Sequence, residues 1–101
     1  MAASWTFLTN HGHVLLAIAE DPETRLRDIA ARVGITERAA QAIVADLVAD
    51  GYVTRVKEGR RNRYHVHPEA PLRHPLESDH TVGELLITLG RLRPTRRTRH
   101  S

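Results

Sequence analysis

The sequence has no cysteine, which removes disulfide scaffolds, zinc-thiolate centres and cysteine nucleophiles from consideration. Its longest apolar runs fall far short of the roughly 20 residues a membrane-spanning helix requires, so a soluble protein is expected. The opening MAASWTFLTN lacks both the basic start and the apolar stretch of a secretory signal, and a cytoplasmic location is the matching expectation. There is no glycine-rich phosphate loop, no HExxH and no serine with an evident base, so the chain does not read as an enzyme and calls for no cofactor. With one methionine, four aromatic residues and no polar cluster set in an apolar pocket, no small-molecule effector is designated either.

What is present is charge, and it is unevenly placed. The 101 residues carry a net charge of +3, but residues 1–50 hold four Arg against seven acids, while residues 51–101 hold eleven Lys plus Arg against five. A polyanion would therefore meet mainly the second half, with a salt-dependent contribution that requires no sequence reading. The alternative is a basic surface that is merely solvated. The length suits one small domain whose core is adequate but gains from further buried area.

Periodicity divides the chain into short elements. Thr9 or Asn10 is placed to cap a first helix in which His13 to Ala19, HVLLAIA, sets Val14, Leu15 and Ile18 on adjoining faces; Asp21-Pro22 ends it. Thr24 to Arg27 reads as a short extended stretch or a lead into a second helix, Asp28 to Val33, with Asp28 as cap and Ile29, Ala30 and Val33 inward. Gly34 closes that helix and Thr36 caps a third, whose buried row is Ile43, Leu47 and Val48 and whose terminator is Gly51. Alternation then marks one strand from Tyr52 to Lys57 and a returning strand from Arg63 to Val66, with Gly59 through Asn62 as the tip. Pro68, Pro71 and Pro75 mark an irregular linker, after which Thr81 and Glu84 form a capping box for a last helix through Leu85, Leu86, Leu89 and Leu92 that Pro94 stops. Arg96, Arg97 and Arg99 follow with no apolar anchor, in a tail expected to be disordered.

Helix, glycine turn, helix and basic hairpin, carried by Ile29-Ala30, Val33-Gly34-Ile35 and Ile43, resemble the small winged-helix transcription regulators of the MarR and ArsR type over about residues 13–66. The implied fold is mainly α with a small β-hairpin wing, an α+β winged helix-turn-helix with N- and C-terminal dimerisation elements. Residues 1–93 would form one domain, the last helix occupying about 81–93, and residues 94–101 the basic tail. Ala30 would be the small residue where the two helices cross, Ile35 the plug behind the turn and Ile43 the anchor of the reading helix.

The resemblance implies double-stranded DNA as partner, the third helix entering the major groove and the wing following the backbone or minor groove. Outward positions would then be Thr36, Glu37, Arg38, Ala39, Gln41, Ala42 and Ala45. Arg38 suits guanine O6 and N7, Gln41 suits adenine N6 and N7, and the methyls of Ala39 and Ala42 suit thymine. Glu37 could accept from cytosine N4, but it would repel phosphate if the helix sat slightly differently, and it is expected to make no contact. Arg55, Lys57, Arg60, Arg61 and Arg63 suit phosphate, and Asn62 suits the turn. The competing account of each is plain solvent exposure. Because the reading face is rich in alanine, selectivity is expected to lean on wing contacts and DNA shape.

Regulators of this type imply a homodimer on a two-fold site. Its candidate surface is Trp5, Phe7 and Leu8 with the first helix, and Val82, Leu85, Leu86 and Leu89 of the last; the same residues can instead complete a monomer core. Two other readings stay open. One is a winged-helix module that docks on a protein rather than on DNA. The other is a metal-responsive regulator using His65, His67, His74 and His80 with Glu77 and Asp79, although their spacing matches no tight motif and pH-dependent surface charge serves equally well. His11 and His13 read as caps or interface residues.

Overall fold

The computed structural model describes residues 5–91. Its elements run α1 (Asn10–Glu20), α2 (Leu26–Val33), α3 (Glu37–Ala49), β1 (Val53–Glu58), β2 (Arg61–Val66) and α4 (Val82–Thr88). The architecture is a winged helix: three helices, an antiparallel two-stranded hairpin and a fourth short helix. The tail expected at residues 94–101, together with Leu92 and Pro94, lies outside the described residues.

Local chemistry explains most boundaries. Thr9 caps α1 by accepting from the Gly12 N–H, and Thr36 caps α3 by accepting from the Ala39 N–H at 3.0 Å. Between α2 and α3 the chain must reverse within three residues, and Gly34 does so at φ +87°, its N–H donating to the Ala30 carbonyl. The second helix begins at Leu26 rather than at Asp28. Its N-cap is Arg25, whose side chain has no acceptor to offer, so Asp28 falls inside the first turn instead of before it.

The helices bury one continuous core. Val14, Leu15, Ala17 and Ile18 of α1 meet Ile29 and Ala30 of α2 and Ala40, Ile43, Val44 and Leu47 of α3. Ala40 and Val44 join the expected row of α3, whereas Val48 is only half-buried. Ile35 packs against the core edge behind the turn. Val53 and Tyr64 anchor the base of the hairpin in the same core.

The segment from His67 to Thr81 is a strap rather than an irregular linker. Its N–H groups at Leu72 and Ala70 bond the His80 and His67 carbonyls, Pro71 bridges Thr81, and the Tyr52 hydroxyl donates to the Pro71 carbonyl at 2.6 Å. This strap returns α4 to the domain. Val82 N–H donates to the Ala70 carbonyl and Gly83 N–H to that of Pro68 at 2.8 Å. The approach is so close that a Cβ on residue 83 would lie 2.8 Å from the Pro68 oxygen, which is why glycine stands in the first turn of a helix.

The expected capping box is present in full, Thr81 and Glu84 each bonding the other's backbone N–H. That bond from the Thr81 N–H, and secondarily the His80 side chain, holds the Glu84 carboxyl below its ordinary value of 4.5. A depressed carboxyl stabilises the fold above its unfolded value, and the stabilisation disappears as pH falls through the folded one. Glu84→Gln, which keeps the cap but cannot titrate, is therefore expected to flatten the acid side of the stability curve. Urea midpoints measured from pH 6 down to pH 3 would check this; parallel curves for both proteins would refute it.

Candidate nucleic-acid interface

The site is built from α3, the hairpin and the start of α2. On α3 the buried face of Ala40, Ile43, Val44 and Leu47 leaves Glu37, Arg38, Gln41, Ala42 and Ala45 exposed, with Thr36 exposed at the cap and Ala39 half-buried. Arg38, Gln41, Ala42 and Ala45 recur at helical spacing, so they share one stripe. Only two of the four can donate hydrogen bonds.

The hairpin register pairs Val53 with Val66, Arg55 with Tyr64 and Lys57 with Asn62, alternating with Thr54–His65, Val56–Arg63 and Glu58–Arg61. Directly paired residues share a face, so the basic side chains divide. Arg55 and Lys57 follow Val53 and Tyr64 on one face; Arg61 and Arg63 lie on the other. The tip is the two-residue turn Gly59-Arg60, not the four residues Gly59 through Asn62. Gly59 at φ +64° followed by a residue at negative φ is the two-residue hairpin solution that matches strand twist. Arg61 and Asn62 consequently belong to β2.

Arg63 has another partner. Its Nη1 donates to Glu23 Oε2 at 2.8 Å, while the Tyr64 N–H donates to the Pro22 carbonyl at 2.8 Å. The α1–α2 connection thus runs along the free edge of β2, and Arg63 helps hold it there. Arg55, Lys57, Arg60 and Arg61 make no ion pair among the described residues.

Between the hairpin tip and the starts of α2 and α3 lies a groove of about 470 Å³. It is lined by Arg60, Arg61 and Asn62 from the wing, by Thr24, Arg25 and Arg27 at the start of α2, and by Glu23 and Glu37. Arg25, Arg27 and Thr24 were not among the expected site residues. The available signal was Arg-Leu-Arg at the beginning of a helix, where cations oppose the helix dipole.

The terminal elements separate into two groups. Trp5 and Phe7 stack edge to face at 5.1 Å and are exposed, Phe7 to 92%. Leu8 and Leu85 are half-buried and Leu89 is exposed. Val82 and Leu86, expected at the dimer surface, are instead 2% and 0% exposed inside the protomer core, because the strap folds α4 onto its own domain.

The histidines do not converge. His65 and His67 meet edge to face at 5.3 Å on the wing, His67 bonding Thr54 Oγ1. His74 accepts from the Leu76 N–H, and His80 lies 3.1 Å from Glu84 and 3.8 Å from Asp79. Among the described residues no three His, Asp or Glu side chains are placed to hold a metal ion. His11 pairs with Asp46 at 2.9 Å, joining α1 to α3.

These features define the class as winged helix, with a two-helix unit turned at glycine and a basic hairpin. The model of the MarR family matches residues 6–63, more than half of the sequence, and the chain belongs to the MarR family. Similar solved structures include two transcriptional regulators. The PcaV transcriptional regulator from Streptomyces coelicolor, in complex with its natural ligand, is 24% identical with a TM-score of 0.53, over 66% of this chain and 49% of that one. The zinc-dependent MarR-family regulator AdcR in its Zn(II)-bound state is 20% identical with a TM-score of 0.47, over 66% and 48%. This chain therefore spans about half the length of those regulators, and the likeness to PcaV is one of fold. A comparison with curated proteins gave no match. Among the described residues no helix is long and apolar enough to cross a membrane.

Proposed function

We propose that the protein is a cytoplasmic homodimeric regulator that binds double-stranded DNA, with α3 in the major groove and the wing on the backbone or minor groove. The observation that carries this reading is the exposed stripe of α3 with Arg38 and Gln41, set beside a groove walled by Arg60 and Arg61. Thr36, Ala39 and Ala42 sit close to the base edges, Ala39 and Ala42 through their methyls. Arg55, Lys57, Arg60 and Arg61 meet phosphate, while Asn62 shapes the strand behind the turn and Arg63 acts chiefly through Glu23. Base reading then rests on Arg38 and Gln41, supplemented by DNA shape.

Dimerisation is assigned to Trp5, Phe7, Leu8, Leu85 and Leu89, which leave an apolar surface beside α1 and α4 that the protomer does not cover. Two wings related by a two-fold axis would address half-sites about one helical turn apart.

The test is selection from a pool of genomic duplexes at several salt concentrations, with sedimentation of the same protein. Enrichment of a two-fold site by a dimer is expected. Arg38→Ala should cost roughly 1–3 kcal/mol on that site and relax preference at one base pair per half-site, leaving non-specific binding nearly unchanged. Absence of duplex binding at low salt would reject the reading and favour a protein-docking module.

A further inference from the structure

We infer that the groove between the wing tip and α2 is a seat for one phosphate group, made by the uncapped start of α2, the Thr24 hydroxyl and the guanidinium groups of Arg25, Arg27, Arg60 and Arg61. This rests on the DNA-binding reading for its natural occupant, a backbone phosphodiester, but the seat itself is a separate claim.

Three observations converge. First, α2 starts without a side-chain cap; Asp28 and Ile29 N–H groups bond the Arg25 carbonyl, which leaves those of Leu26 and Arg27 without a protein acceptor among the described residues. Helix starts of this kind present donors and positive potential together, the two properties an anion needs. Second, Thr24 is the one buried polar residue of the described chain, 7% exposed, and it lines the groove. Its hydroxyl has no hydrogen-bond partner among the described residues, although buried hydroxyls are ordinarily paired. A phosphate oxygen in the groove would supply that partner. Third, four arginines stand around the same volume. Placing cations at a helix start is unfavourable in itself, and only an anion between them reverses the sign of the interaction.

The acids nearby do not fill this role. Glu23 is held by Arg63 at 2.8 Å, and Glu37 occupies the first turn of α3, where it complements that helix's own dipole. Asp28 lies in the first turn of α2 and offsets one charge of the four. Guanidinium groups from both the wing and α2, together with free amide donors, suit a tetrahedral oxyanion better than a carboxylate.

The seat would give the wing and α2 a common phosphate, fixing the hairpin's position relative to α3. That is a positioning role, setting how deeply Arg38 and Gln41 enter the groove rather than reading bases.

The experiment is a titration of the full chain with inorganic phosphate, followed by amide resonances, and a parallel duplex titration across salt. Wild type should show saturable shifts at Leu26 and Arg27. Thr24→Val, which removes only the hydroxyl, and Arg25→Ala with Arg27→Ala should weaken them about tenfold or more, while Arg73→Ala, on the strap, should not. In the duplex arm, Arg25→Ala with Arg27→Ala should lower the salt slope by about one. Shifts that are absent, or equal in all variants, overturn the seat even if the duplex binds. Saturable shifts without duplex binding keep the seat as a site for a free phosphate group and reject the DNA reading.

Discussion

Leu86→Ala is expected to cost about 2–5 kcal/mol, enough to lower the melting temperature by on the order of 10–30 °C in a domain of this size. Leu86 is fully buried and is the main anchor of α4, a helix of only two turns that no propensity would hold in place alone. Its side chain enters the core shared by α1, α3 and the base of the hairpin. Truncation leaves a cavity that the strap is poorly able to close, because the strap is fixed by Pro71, by the Tyr52 hydroxyl and by the Arg73–Asp50 pair at 2.8 Å. Against a total stability of roughly 5–15 kcal/mol, such a loss is large.

The same measurement separates protomer core from the proposed dimer surface at α4 and its C-cap. Leu89 lies three residues from Leu86 and is 42% exposed. Leu89→Ala should alter protomer stability by no more than about 0.5 kcal/mol, and any further effect should grow on dilution as the dimer dissociates. The effect of Leu86→Ala should show no such growth. A Leu86→Ala protein that unfolds at the wild-type urea midpoint would mean that α4 is not docked as described.

The contrast shows where sequence reasoning reaches and stops. Helical spacing at Val14, Leu15, Ile18, Ile43 and Leu47 identified apolar faces, and the α3 and α4 caps at Thr36 and Thr81 were legible, with that of α1 narrowed to Thr9 or Asn10, because capping is chemistry within four residues. Spacing does not say which partner an apolar face meets. Val82 and Leu86 were expected at the dimer surface, with a place in the core as the alternative, and the decision for the core came from backbone bonds of the strap, Val82 to Ala70 and Gly83 to Pro68, each spanning more than ten residues.

The same limit applied to the site. Alternation revealed two basic strands, but not that Arg63 is drawn toward Glu23 by the contact of β2 with Pro22. The start of α2 was misplaced because Asp28 is a good cap and Arg25 a poor one; the chain uses the poor one. A helix start without its own acceptor is a feature that local preference argues against, and here it opens onto the wing groove.

Arg60→Ala combined with Arg61→Ala is expected to reduce duplex affinity by about 100-fold at low salt and to lower the slope of log K against log salt by roughly 1.8. Arg60 and Arg61 are exposed and have no ion pair among the described residues, so neither must break a contact to meet phosphate, and each is worth one charge-assisted bond. Arg63 differs in that its guanidinium is already bonded to Glu23, so Arg63→Ala should change the slope by well under one. It should also cost little stability, since both partners are about half exposed. Affinity measured from 50 to 200 mM salt for the three proteins orders them directly. If Arg63→Ala lowers the slope as much as the Arg60 and Arg61 pair does, the Arg63–Glu23 ion pair opens on binding and Arg63 meets phosphate beside Arg61, on the same face of the hairpin. If the pair of substitutions leaves the slope unchanged, the wing does not touch the phosphate backbone, and the basic half of the chain serves another partner.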